Sequence, residues 1–174
     1  MRQVEPAEAI GRKYPEWIVV IVSRDAKGQV NFMPAGWSML TSGKPLLYAV
    51  SVAPPRYTHQ CIRDRGEFVI AFPAPGMGPA IAHSGSHSGR EVDKSKASGF
   101  RTTPAAAVSV PVIEGAVANL ECKVVSSHET GDHTIFVGEV VAAHVEDDAP
   151  GRLLNFGPPG YAMAQPDAAT VFQP

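Results

Sequence analysis

The segment from His83 to Lys94, HSGSHSGREVDK, concentrates hydrogen-bond donors in very little bulk. Backbone N–H groups beside its glycines can converge on an oxygen anion, because no Cβ blocks the approach. Ser86 and Ser88 add hydroxyls around Gly89, and Arg90 carries a planar fork that suits phosphate. Lys94 follows Arg90 by four residues, so the two cations share a face if the chain is helical from Glu91 onward. These are the parts of a phosphate clamp, although the same composition also fits a solvated Gly/Ser loop. His83 and His87 have the i, i+4 spacing of a helical metal pair, but Gly85 weakens the helix and no third ligand stands nearby.

Two more segments could border a ligand. In NFMPAGWS, Asn31 to Ser38, the small residues Ala35 and Gly36 let a flat group lie against the backbone with Trp37 beside it. A turn leaving a strand, with Trp37 as core filler, is the alternative. Gly131-Asp132 is a common turn pair, and His133 after it can reach a site on the same or a neighbouring subunit. There is no Ser-His-Asp arrangement, paired-carboxylate site, P-loop or GxGxxG; Gly76-Met77-Gly78 lacks both the third glycine and the βαβ setting.

The elements that must position these residues read as one mainly β domain over residues 1–174. Hydrophobic residues make up 44% and charged residues 18%, a globular balance, and 16 glycines with 16 prolines favour short strands and turns over long helices. The formal charge of -2 predicts no nucleic-acid or membrane partner, so any anion site must be local. Met1 to Pro6 has no apolar signal-peptide core and no stretch is long and apolar enough to span a bilayer, which makes a cytoplasmic location the expectation. Cys61 and Cys122 form no zinc-type spacing and read as separate small hydrophobes, with a redox role for Cys61 left open.

Six or more antiparallel strands are expected, which points to a β-barrel or sandwich with helical decorations. Trp17–Ser23 is β-branched and unbroken, as in a strand covered on both faces, and Gln29–Met33 returns after an Asp-Ala-Lys-Gly turn. Leu46–Val52 and Glu67–Phe72 follow, separated by a short helix from Tyr57 to Arg65 with Thr58 as its N-cap. Ala116–Val124 and Thr134–Val145 form a long antiparallel hairpin. Residues from Pro75 to about Val110 suit short helices. The tail keeps Leu153, Leu154, Phe156, Tyr161, Met163 and Phe172, which predicts docking on the body or on a partner subunit.

From about Tyr14 to Val145, the order of NFMPAGW, SVAPPRYTHQCI, GEFVIAFP, HSGSHSGREVDK, LECKV and GDHTIFVGEVV resembles the flavin reductase-like family, flavoredoxin-type split barrels included. The resemblance implies a homodimer of six-stranded Greek-key split β-barrels that hold FMN non-covalently near the dimer interface. It carries Asn31, Ala35, Gly36 and Trp37 to the flavin ring. Ser51, Val52, Tyr57 and Thr58 go to the ring edge and phosphate, and Ser86, Ser88, Gly89, Arg90 and Lys94 to the ribityl phosphate. It places His133 where nicotinamide would stack. The implied activity is reduction of bound FMN by NADH or NADPH and electron transfer to a second acceptor, which can be a redox partner protein. An FMN electron carrier without nicotinamide turnover, or a split barrel for another ligand such as haem with His83, His87 or His133 as axial candidates, are the alternatives. Pro34 stands where relatives have threonine and removes a donor. The 67–73 strand lacks the family's asparagine, and Ser95 replaces a common phenylalanine, predicting looser packing behind Lys94.

Overall fold

A computed structural model describes residues 1–149, 151–157 and 161–163, the last as backbone only. Along the chain run α1 (Pro6–Ile10), β1 (Glu16–Trp17), β2 (Val19–Arg24), β3 (Val30–Ala35), β4 (Ser38–Gly43) and β5 (Leu46–Val52). Next come α2 (Tyr57–Arg65), β6 (Glu67–Phe72), α3 (Gly78–Ser86), α4 (Lys94–Ala97), β7 (Thr102–Thr103) and β8 (Val112–Ile113). The hairpin β9 (Ala118–Thr130) and β10 (His133–Val145) and two short strands, β11 (Leu153–Asn155) and β12 (Tyr161–Met163), complete the order.

Seven strands form one antiparallel sheet in the order β3-β2-β6-β9-β10-β5-β4. Six of them match the expected strands. The seventh, β4, went unread because Met39 and Leu40 are both exposed and its pattern does not alternate. Val19 and Ile21 of β2 share one buried cluster with Val50 and Val52 of β5, although these strands lie near opposite ends of the sheet order. The sheet must therefore curl into a barrel around that cluster. Val20, Val22, Val69 and Ala71 point the other way, into a second core with Ile81, Phe100 and Ile113. Burial on both faces accounts for the unbroken apolar runs of β2 and β6.

The expected strand at residues 17–23 divides at Ile18, because Glu16 and Trp17 pair with Asn155 and Leu154 instead of joining the main sheet. β3 runs on through Pro34, which an edge strand tolerates because one side of its backbone lacks a ladder partner. The helix at 57–65 forms as expected, but its N-cap is Arg56, without a side-chain cap, and Thr58 lies inside it. Of the tail residues expected to dock, Leu153 is buried in the second core and Phe156 is exposed; the side chains of Tyr161 and Met163, and residue Phe172, lie outside the described residues.

The hairpin reaches the cleft by crossing the core at Gly138, where a Cβ would sit 2.7 Å from the Phe68 ring. Behind it, fully buried Glu121 accepts from the backbone N–H groups of Ala106, Ala107 and Val108 at 2.7, 2.6 and 3.1 Å, and bonds His144 Nε2 at 2.6 Å. Burial pushes this carboxyl up, but the hydrogen bonds outweigh it and hold Glu121 below the usual carboxylate range. Its stabilisation is thus present above that range and lost as pH falls through the lowered folded value. Glu121→Ala should destabilise the fold by about 2–4 kcal/mol, since it removes the buried charged acceptor of four hydrogen bonds, and should flatten the acid limb of unfolding followed by circular dichroism between pH 7 and 3.

Candidate functional site

Four distant segments meet in a cleft of about 800 Å³, inside the ~300–1,000 Å³ range of small-molecule sites. The end of β3 and the turn after it supply Asn31, Met33 and Pro34 through Trp37; the end of β5 and the start of α2 supply Ser51 through Ala53 and Pro55 through Thr58. The end of α3 and the loop beyond it give Ser84 through Gly89, Glu91 and Lys94, and the hairpin tip gives Asp132 and His133. Every expected site residue except Arg90 lines this cleft.

Arg90 turns aside. Its guanidinium donates to Pro55 O at 2.8 Å and Gln60 Oε1 at 3.4 Å, and lies 5.2 Å from the Tyr57 ring centre. The expected helical face shared with Lys94 does not form, because residues 88–92 turn and helix begins only at Lys94, capped by Asp93. The cation that lines the cleft in its stead is Arg56. A basic residue at the uncapped start of a helix opposes the helix dipole, a signal in the sequence that an anion belongs there.

Lys94 is buried, and its Nζ donates to Phe32 O at 2.8 Å and Ser84 O at 2.7 Å. No carboxylate pairs with it among the described residues. Burial, helped by the nearby Arg56 charge, pulls the ammonium down to about 8. Ser95, expected to loosen the packing here, bonds Asp93 Oδ1 at 2.6 Å and leaves Lys94 buried.

Several polar atoms await a partner. Asn31 donates to Thr58 Oγ1 at 2.8 Å and Ser23 Oγ at 3.3 Å, while its Oδ1 is buried and unbonded. The Ser84 hydroxyl is likewise buried and unbonded. Sequence reading missed Ser84 because only burial separates it from its hydroxyl neighbours. Ser86 spends its proton on Ala82 O and His83 O, and Ser88 Oγ accepts from Arg90 N. A Cβ on Gly89 would collide with Asn31 Oδ1 and the Tyr57 ring, so only glycine closes this wall. Tyr57 presents its ring; its hydroxyl donates to Asp25 Oδ2 at 2.8 Å, and burial together with that bond pushes it up to about 12.

At the mouth, Trp37 is 53% exposed rather than core filler and packs on His133 with ring centres 4.6 Å apart. Asp132 Oδ1 holds His133 Nδ1 at 2.6 Å. His83 and His87 stack at 4.3 Å because α3 continues through Gly85. Cys61 is buried and its thiol is pushed up to about 11 by burial, so it is no thiolate near neutrality.

A flat group bounded by Ala35, Gly36 and Trp37, with a dianionic end facing Arg56, Lys94 and the start of α2, would satisfy this cleft. Residues 11–163 match the flavin reductase like domain model. The chain belongs to that family. An FMN-binding protein of Thermus thermophilus, solved with bound 1-cyclohex-2-enone, is 33% identical with a TM-score of 0.86, covering 100% of this chain and 98% of that one. A flavoredoxin of Methanosarcina acetivorans is 28% identical with a TM-score of 0.83, over 95% and 91%. An NADH-dependent flavin reductase of Rhodococcus is 28% identical over 82% of this chain and 77% of its own.

Lys94 generates a pH prediction. Its charge is present below about pH 8 and lost above, whereas a phosphate monoester is already dianionic above about pH 6. Titrations of FMN should give a constant Kd from pH 6.5 to 7.5 and a rising Kd toward pH 9. Lys94→Met should bind more weakly and show no such rise.

Proposed function

We propose that the protein is an FMN-dependent oxidoreductase that accepts reducing equivalents from NADH or NADPH and delivers them to a second acceptor. The observation that carries this reading is the union of two features in one cleft: two cations, Arg56 and Lys94, that form no ion pair among the described residues, and the Trp37–His133 stack at the mouth. The family and an FMN-binding structural neighbour support FMN as the cofactor. The NADH-dependent relative supports the donor.

Bound FMN would supply two-electron chemistry between the nicotinamide and the acceptor. The chain's own work is placement. Arg56, Lys94 and the free N–H groups at the start of α2 would hold the phosphate. Ala35, Gly36, Ser51 and Val52 would flank the ring, and the Tyr57 ring closes the side wall. Pro34 offers the ring no N–H. His133, fixed through Nδ1 by Asp132, would orient the incoming nicotinamide against Trp37. Nucleophilic side chains are not needed, consistent with the un-ionised state of Cys61. The flavoredoxin relative supports a second reading, an electron carrier without nicotinamide turnover.

A homodimer belongs to the proposal. Met39, Leu40 and Leu46 on β4 and β5 and Val125, Val141 and Val145 on the hairpin are exposed large hydrophobics on neighbouring strands of the sheet, a surface that a second copy of the chain would cover.

Two measurements test these readings. In stopped-flow, His133→Ala should bind FMN as the parent does but reduce it with NADH about tenfold more slowly or worse; equal rates would remove the role of His133, and a parent that NADH cannot reduce would favour the electron carrier. Light scattering coupled to size exclusion should return twice the chain mass of 18.4 kDa, and Leu40→Glu should shift it to monomer.

A further inference from the structure

The mouth of the cleft is fastened from outside by a single carboxylate. Glu16 stands in β1 opposite Asn155 of β11. Its Oε1 accepts from Asn155 Nδ2 at 3.0 Å and its Oε2 from Lys13 Nζ at 2.5 Å. The same carboxylate presses on Gly36, where a Cβ would collide with it. Gly36 O accepts from Ser38 N at 3.1 Å and Trp37 O from Ser51 N at 2.9 Å, so the backbone on both sides of the indole is fixed. Lys13, neutralised by Glu16, holds its ammonium 5.8 Å from the Trp37 ring and 5.3 Å from the Tyr14 ring. Tyr14 in turn packs where a Cβ on Gly157 would come within 2.7 Å.

Trp37 needs such a hold. An indole 53% exposed at a turn has rotamer freedom unless its neighbours restrict it. It packs on His133, and it also neighbours the Lys13–Glu16 pair, whose side chains are only 30% and 17% exposed. A partly screened pair tying three separate segments restrains geometry better than an isolated surface ion pair.

We propose that Glu16 is the positioning residue for Trp37: by gripping Lys13, Asn155 and the Gly36 turn at once, it makes both terminal segments set the aromatic wall against which the donor's flat ring docks. Glu16 itself does not line the cleft. Its removal therefore acts on donor affinity while the phosphate end, held by Arg56 and Lys94, is untouched. The kinetic part rests on the reductase reading; the restraint on Trp37 does not.

The chain has two tryptophans, so Trp17→Phe isolates the emission of Trp37. In that background, FMN-free Glu16→Ala should red-shift the emission and raise its acrylamide quenching constant about twofold, with Glu16→Gln between parent and Ala because it keeps the packing and loses the charge. Lys13→Met, which leaves the Glu16–Asn155 bond in place, should loosen Trp37 in the same sense and serves if Glu16→Ala does not fold. In protein saturated with FMN, Glu16→Ala should raise the NADH KM about five- to tenfold with kcat within about twofold. Unchanged Trp37 emission and quenching in both Glu16→Ala and Lys13→Met would overturn the proposal. So would a changed FMN Kd with an unchanged KM. Should the parent fail to oxidise NADH, the reductase reading falls and the quenching result alone decides the positioning role.

Discussion

A buried ammonium holds the open side of this barrel together. β3 ends the sheet, so the carbonyls on its outer edge have no strand to accept from. Lys94 answers one of them, Phe32 O, and with the same nitrogen takes Ser84 O near the end of α3. The pairing satisfies a strand edge and a helix C-terminus at once, and cations are favoured at the latter. It also fixes the distance between β3 and the Ser/Gly loop, which is the width of the cleft at its anionic end.

The cost of this arrangement explains the chemistry around it. A lysine is almost never buried without a paired charge. Here the charge has no carboxylate partner among the described residues, with Arg56 nearby and the uncapped start of α2 lining the same cleft. The Asn31 and Ser84 oxygens add unsatisfied polar groups. Such a site is stabilised by whatever brings an anion to it, and a flavin phosphate brings nearly two negative charges. At the opposite end the cleft is aromatic and half exposed, built from Trp37 and His133. In the proposed function, one end would retain the flavin phosphate while the other would admit the donor.

Both ends depend on glycine at points of contact. At Gly89 a Cβ would strike Asn31, and at Gly36 it would strike Glu16. The first closes the wall around the phosphate end; the second lets the terminal segments bear on the Trp37 turn. Glu16 and Asn155 thus belong to the site's support even though neither lines the cleft.

What the sequence determined is local. β-branched runs with turn residues between them fixed β2, β5 and β6 and the long hairpin, because period and propensity act over a few neighbours. Motif order was enough to point to the family and to the four segments that line the cleft, though not to Arg56 or Ser84. The tertiary structure decided what depends on distant partners. β4 is a strand through its pairing with β5 rather than through its own pattern. Arg90 looked like the phosphate ligand by composition, yet Pro55 O and the Tyr57 ring turn it away, and Arg56 takes the inward position. Lys94 was expected to share a helical face with Arg90 and is instead a buried bridge between Phe32 O and Ser84 O. Residue type can say that a group is able to bind an anion; which such group faces the cleft is set by contacts between segments tens of residues apart.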